Sequence, residues 1–170
     1  MGLARMPDLK FGPEVGMRAL ALIGLFNILG TYSAGWLGGR YTKKYLLSGI
    51  YILRGIAIIA FLALPVTAGS VYVFAAVMGV FWLSTVPLTN GVVSQIFGVS
   101  YLATLFGIVF LFHQLGSFLG VWLGGYLYDL TGSYQVVWIL SIGLSAVAAL
   151  LNWPIDDRPV ARLRTGEAAA

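Results

Sequence analysis

The sequence predicts an all-α fold, a polytopic bundle of five transmembrane helices. Residues 55–128 contain no Asp, Glu, Lys or Arg. Charged residues make up 9% of the chain, where a soluble domain has roughly 25%. A charged side chain at the centre of a membrane helix costs roughly 2.5–3.5 kcal/mol, whereas a soluble protein needs a charged surface. The solvent around this chain is therefore a lipid bilayer.

Glycine, proline and basic residues divide the apolar sequence into five predicted spans, each long enough for a helix to cross the bilayer. The spans cover about residues 15–37, 45–64, 71–93, 101–127 and 134–153. The first run ends at Gly38-Gly39-Arg40, the second at Pro65 and the fifth at Pro154. All five are predicted to be helices, because such runs do not alternate as barrel strands do. Pro87 lies inside the third span, and its missing N–H predicts a kink there.

Basic residues predict the orientation of the spans. Six of the ten Lys and Arg residues lie in two clusters, Arg40, Lys43 and Lys44 in one and Arg158, Arg162 and Arg164 in the other. The positive-inside rule places residues 154–170 in the cytoplasm as a tail and residues 1–14 on the extracytoplasmic side of a transmembrane domain at 15–153. This clustering accounts for the pI near 9.5, so no nucleic-acid partner is predicted. An odd span count that starts outside, without a signal peptide, predicts that further helices precede this sequence.

The loop after the first span carries a recognisable motif. Residues 35–44, GWLGGRYTKK, resemble the cytoplasmic loop signature G-x-L-a-D-r-x-g-r-k of the major facilitator superfamily, with matches at Gly35, Leu37, Arg40, Lys43 and Lys44. The sequence departs from the signature at Gly39, where the family has Asp, and at Thr42, where it has Gly. The family carries the complete signature between its second and third helices and a weakened form between its eighth and ninth. The weakened form fits this loop better.

Four later motifs resemble the monocarboxylate and oxalate/formate branch of that superfamily, in the region of its tenth to twelfth helices. They are Phe97-Gly98, the segment LFG at 105–107, the glycines at 116, 120, 124 and 125, and the segment YDLTGSY at 128–134. On this resemblance the five spans correspond to helices eight to twelve, the C-terminal half without its first helix. A facilitator uses two six-helix halves around a central cavity, so the resemblance implies that the missing N-terminal half or a second copy completes the assembly.

Arg54 lies near the middle of the second span, where an ionisable side chain normally faces a cavity or a partner. One interpretation is that it binds the carboxylate of an anionic substrate through its bidentate donors. No acidic residue of this chain lies at the same depth. The alternative is a structural role, in which the guanidinium binds carbonyls at a helix end or a broken helix, or pairs with an acid in the missing half.

Further polar residues inside the spans are candidates for solute binding: Asn27, Thr31, Asn90, His113 and Gln114. Asn27 and Thr31 share one helix face. In the proton-coupled monocarboxylate carriers that this chain resembles, these two positions hold an Asp and an Arg. The resemblance therefore does not carry their coupling mechanism or lactate-like specificity over to this chain. His113 either transfers a proton near neutral pH or is a hydrogen-bonding group between helices, and the polar residues of the first span have the same structural alternative.

Small residues recur every four positions in two spans, and they predict close helix packing. These positions are Gly116, Gly120 and Gly124 in the fourth span, and Gly30, Ala34 and Gly38 in the first. The basic residues of the loop motif are predicted to anchor the loop against anionic headgroups and the C-terminal ends of helices.

These observations favour secondary transport of a small solute, an organic anion, across the cytoplasmic membrane by alternating access, with this chain as part of the transporter. The alternative is a non-transporting membrane subunit that packs against another integral membrane protein. No enzyme is predicted, because the sequence has no convincing nucleophile, base or metal cluster. The chain has a single His and no Cys, so neither a metal site nor a cofactor is predicted.

Overall fold

The computed structural model describes residues 12–160, and within that range it contains helices and no strand. The six helices are α1 (Pro13–Gly38), α2 (Lys43–Ala63), α3 (Ala68–Trp82), α4 (Thr85–Phe97), α5 (Leu102–Thr131) and α6 (Gln135–Asn152). Five segments are long and apolar enough to cross a membrane, because α3 and α4 together form one span, Ala68–Phe97. The predicted all-α fold with five spans is therefore confirmed. Residues 1–11 and the predicted tail cations Arg162 and Arg164 lie outside the described residues.

Local sequence explains where several helices begin and end. α1 begins at Pro13, because proline needs no N–H partner in the first turn and its φ already suits a helix. The predicted segment 1–14 therefore overlaps the start of the first helix. Thr67 and Ser70 form a capping box at the start of α3. α5 ends at Thr131 and is capped by Gly132, whose φ of 65° is left-handed and favours glycine.

α1 and α3 cross with their backbones in contact, because glycines line both sides of the crossing. A Cβ atom at Gly30 would overlap the backbone carbonyl of Val80. A Cβ atom at Gly79 would lie 2.7 Å from the carbonyl oxygen of Ile23, closer than real Cβ contacts come. The buried residues of α1 are Gly30, Ala34 and Gly38. The small-residue packing predicted for the first span is therefore present in the structure.

A buried cluster lies at the end of the bundle that carries the loop motif. Its members are Ala34, Leu47, Leu88 and Val92, from α1, α2 and α4. Gly38 leaves room for the Leu88 side chain, which a Cβ at that position would meet at 2.8 Å. α6 joins through Ser48 of α2, whose buried hydroxyl donates to the carbonyl of Ala149 at 2.9 Å. A polar contact of this kind ties two helices together where lipid offers no alternative partner.

α5 differs from the other helices, since none of its residues is buried. A Cβ atom at Gly116, Gly120 or Gly124 would meet nothing within 4 Å. Among residues 12–160, then, no helix lies against this glycine face. Close packing of these three glycines stays a prediction.

Candidate functional site

The third span is interrupted near its middle, where α3 ends at Trp82 and α4 begins at Thr85. Pro87 causes the break, because it has no N–H to donate to the carbonyl four residues earlier, at Leu83. That carbonyl instead accepts from the N–H of Val86 at 3.0 Å. The predicted kink is present, one turn before the proline itself.

One peptide group at the break is held from two sides. The carbonyl of Trp82 accepts a hydrogen bond from Nη2 of Arg54 at 3.1 Å. The N–H of Leu83, which belongs to the same peptide, donates to Oδ1 of Asn27 at 3.1 Å. The carbonyl and N–H of a trans peptide point in opposite directions. Arg54 of α2 and Asn27 of α1 therefore hold this peptide from opposite faces of the third span, and we call the three groups the break clamp.

Arg54 also lies near two aromatic rings. Its guanidinium carbon is 5.8 Å from the ring centroids of Tyr51 and of Trp82. None of the ion pairs among the described residues involves it, and its Nε is buried without a hydrogen-bond partner there. The contact with a broken-helix carbonyl is one of the structural alternatives that the sequence offered. A direct contact with solute stays a prediction.

An open groove of about 430 Å³ lies on the α1 side of the break. Its lining residues are Gly24, Asn27, Ile28, Thr31, Tyr32 and Leu83. Asn27 and Thr31 thus line one wall together, as their spacing predicts. Arg54 is not among the lining residues, because it approaches the same peptide from the other side.

The other predicted site residues lie elsewhere. Asn90 is half-buried on α4, outside the lining of the groove. His113 and Gln114 are exposed on α5. The His113 ring stacks with that of Phe110, with 6.1 Å between centroids, and the His113 carbonyl accepts from the Ser117 hydroxyl at 3.0 Å. The described residues therefore bring together Asn27, Thr31 and, through one peptide, Arg54, but none of the other three.

Sequence reasoning offered a broken-helix carbonyl as one partner of Arg54, but it did not point to the peptide between Trp82 and Leu83 as the source of polar groups. The N–H of Leu83 and the carbonyl of Trp82 are both used by side chains from other helices. The signal that could have found them is Pro87, because a proline leaves the carbonyl four residues earlier without its usual donor. Counting back four positions from Pro87 marks Leu83 as the residue at which the helix is interrupted.

The loop motif is tied to the end of the chain rather than standing free. Nζ of Lys44 lies 3.3 Å from Oδ1 of Asp157, with both side chains largely buried, and donates to the carbonyl of Ile155 at 2.7 Å. Nζ of Lys43 donates to Oε1 of Gln95 at 3.0 Å. Gln95 in turn donates to the carbonyl of Asp157 at 3.0 Å. Both lysines thus bind groups at or just beyond helix C-terminal ends, as predicted, and contact with headgroups stays a prediction.

The remaining motif residues shape the turn between α1 and α2. The carbonyl of Gly35 accepts from the N–H of Gly39 at 3.2 Å. The carbonyl of Leu37 accepts from the N–H groups of Arg40 and Tyr41 at 2.9 and 2.8 Å. The guanidinium of Arg40 lies 4.0 Å from the ring centroid of Trp36. The loop, the end of α4 and the segment after α6 therefore lie on one face of the bundle.

Comparison with known proteins identifies the family of this chain. Residues 6–169 match the sequence description of the Major Facilitator Superfamily. The chain belongs to the major facilitator superfamily. The suspected resemblance is therefore confirmed, and the five helices are part of a multi-pass membrane protein.

Individual facilitators similar to this chain come from bacteria and vertebrates. An uncharacterized MFS-type transporter of Bacillus subtilis, YcxA, is 30% identical over 84% of this chain and 36% of its own length. Monocarboxylate transporter 12-B of Danio rerio is 26% identical over 85% of this chain and 31% of its own length. Monocarboxylate transporter 13 of Rattus norvegicus is 26% identical over 82% of this chain and 33% of its own length. The chain thus spans about a third of the length of these relatives. No solved structure matched it significantly.

Proposed function

We propose that this chain forms one wall of the solute path of a secondary transporter, which moves a small organic anion across the cytoplasmic membrane by alternating access. The observation that carries the proposal is the groove at the break. There the polar side chains of Asn27 and Thr31 meet the interrupted backbone of a membrane span near its middle. Facilitators and related carriers bind solutes near the bilayer midplane, where interrupted helices expose backbone groups.

The anionic substrate class is supported by two observations. Arg54 brings a positive charge to the depth of the break, and the described residues supply no acid that pairs with it. Two of the three relatives reported above are named monocarboxylate transporters. The positive charge of Arg54 would attract a small carboxylate that reaches the depth of the break.

The orientation and the partner belong to the same proposal. The face that carries Lys43, Lys44 and Arg158 is the more basic one, so we assign it to the cytoplasm together with the C-terminus. Alternating access needs two bodies that rock around a shared site. An N-terminal half like that of other facilitators, or a second copy of this chain, would supply the other body.

Uptake into proteoliposomes tests the proposal. The chain is purified in mild detergent with its associated subunits and reconstituted, and uptake of radiolabelled pyruvate is compared with that of neutral mannitol. We expect pyruvate uptake to fall about tenfold in Asn27→Leu and Thr31→Val, because each loses a polar contact in the groove. Ser33→Ala is the matched control, since the Ser33 hydroxyl is exposed and its one hydrogen bond among residues 12–160 is to its own helix at Leu29.

Three outcomes would count against this function. Uptake that does not distinguish pyruvate from mannitol contradicts the anionic class. Equal uptake by Asn27→Leu and the unmodified chain contradicts the groove as the site. Absence of any uptake, together with a stoichiometric partner that is not a facilitator half, supports the alternative of a non-transporting membrane subunit.

A further inference from the structure

We propose that Arg54 is a positioning residue, which fixes the wall of the solute groove from behind by holding the peptide between Trp82 and Leu83. This inference rests on the proposed function. Arg54 is not among the residues that line the groove. Its only hydrogen bond among the described residues goes to the carbonyl of Trp82.

The end of α3 gives that hydrogen bond its importance. The last carbonyls of a helix have no donor within the helix, and the C-terminal end carries partial negative charge. In hydrocarbon no water is present to satisfy such groups. Arg54 supplies both a donor and a positive charge at this end from the neighbouring α2, and it thereby makes the interruption tolerable within the membrane.

The opposite end of the same peptide connects Arg54 to the groove. The Leu83 N–H donates to Asn27, and both residues line the groove. If the carbonyl of Trp82 lost its donor, the peptide plane would be free to rotate, and the N–H would turn away from Asn27. The amide of Asn27 would then lose its fixed orientation. A change at Arg54 therefore reaches the groove through one rigid peptide plane.

A direct role in binding the anion makes different predictions. Direct contact would affect only anionic solutes and would leave the shape of the break intact. Positioning alters the break itself, whether or not solute is present. A distance measurement across the break separates these two roles, and the absence of native Cys makes site-specific labelling straightforward.

The test uses spin labels at Val73→Cys in α3 and Phe97→Cys in α4, two exposed positions on either side of the break. Double electron–electron resonance on the reconstituted chain gives their distance distribution. We expect one narrow distribution for the labelled parent and a broadened or shifted one for Arg54→Met. Arg54→Lys keeps a charge and a donor, so we expect it to restore most of the parent distribution. Arg18→Met is the control, because that arginine is exposed and, among the described residues, it forms an ion pair with Glu14 of its own helix.

A second variant keeps the proposal testable if Arg54→Met does not fold. Asn27→Leu removes the acceptor at the other end of the peptide and should broaden the same distribution. The double variant should broaden it no more than either single change, since both act on one group. An unchanged distribution in Arg54→Met, with pyruvate uptake lost, would overturn positioning in favour of direct binding.

Failure of the proposed function gives a separate result. If the reconstituted chain shows no uptake while Arg54→Met still broadens the distribution, the break clamp stands and the transport proposal does not. If Arg54→Met and Arg18→Met give the same narrow distribution and the same uptake, the positioning role is wrong.

Discussion

Two helices of this chain carry small residues every four positions, and the structure treats them in opposite ways. On α1 the small face is filled by a neighbour, and a Cβ atom at Gly30 would overlap the backbone of Val80. On α5 no part of residues 12–160 lies within 4 Å of a Cβ at Gly116, Gly120 or Gly124. The sequence signal is the same in both helices. It reports that a face is kept small, and it does not report which partner covers that face.

The covered face of α1 contributes to the folding of this chain, whereas the uncovered face of α5 is available for assembly with another chain. α1 finds its partners within the chain, at α3 and in the buried cluster that Leu88 of α4 shares with Ala34. Within the described residues, α5 has no buried residue and its glycine face is uncovered. Under the proposed function, the uncovered glycine face is where another body of the transporter is expected to pack. Substitutions on the two faces should therefore change different properties.

Gly30→Ala should have the largest effect. The added methyl overlaps the carbonyl of Val80, so α1 and α3 must separate along their crossing. Overpacking of this kind costs typically 1–3 kcal/mol, and because the obstacle is backbone we expect about 3 kcal/mol or more. Unfolding of the detergent-solubilised chain in SDS, followed by circular dichroism, measures the change. Gly16→Ala on the same helix is the control, because a Cβ there meets no described residue within 4 Å. Equal stability of the two variants would contradict the crossing.

Lys44→Met should have an intermediate effect. It removes the contacts of the loop motif with Ile155 and Asp157, which follow α6. The Lys44 and Asp157 side chains are only 16% and 21% exposed. Removing the lysine leaves a largely buried carboxylate and a carbonyl without their donor, which we expect to cost about 2 kcal/mol. The same SDS unfolding measures it.

Arg158→Met provides the comparison for that tail contact. Its pair with Asp156 is 3.9 Å long, and both side chains are at least three-quarters exposed. An exposed pair of this kind contributes little, so stability should not change. If Lys44→Met were as stable as Arg158→Met, the tail would not be fastened to the loop motif.

The sequence predicted the five spans and the small face of α1, because both depend on composition and spacing along one helix. It also placed a kink in the third span from Pro87. The sequence did not decide the partner of Arg54. An arginine in the middle of the membrane binds a carboxylate, a carbonyl or a solute, depending on which helix lies beside it. The contact with Trp82 requires α2 and α3 to be neighbours, which spacing along the chain does not reveal.

His113 and Gln114 show the same limit from the other side. Their central position in the fourth span follows from the sequence, but a helix can rotate about its axis, and its partners decide which face points to a cavity. On α5 both side chains are exposed. Under the proposed function, whether they reach the solute depends on the body that packs against α5. The depth of a residue in the membrane can thus be inferred from sequence more readily than the direction in which its side chain points.

Gly120→Leu should have the smallest effect on this chain and the most informative effect on its assembly. A Cβ atom at Gly120 meets no described residue within 4 Å, so the stability of the isolated chain in detergent should stay within about 1 kcal/mol, the difference in helix propensity between Gly and other residues. If another helix packs on this face, the same leucine prevents close approach, and association with the second half or second copy should be lost.

Val121→Leu distinguishes a specific packing face from general crowding on α5. Val121 is 80% exposed and lies one residue away, on a different side of the helix from Gly120. Association measured by size-exclusion chromatography with light scattering should survive Val121→Leu and fail in Gly120→Leu. If both variants assemble alike, the glycine spacing of α5 has no packing role. The resemblance of its spacing to that of α1 would then be due to chance. If Gly120→Leu instead unfolds the chain, the glycine face of α5 packs against other helices of this chain. The small faces of α1 and α5 would then both serve folding.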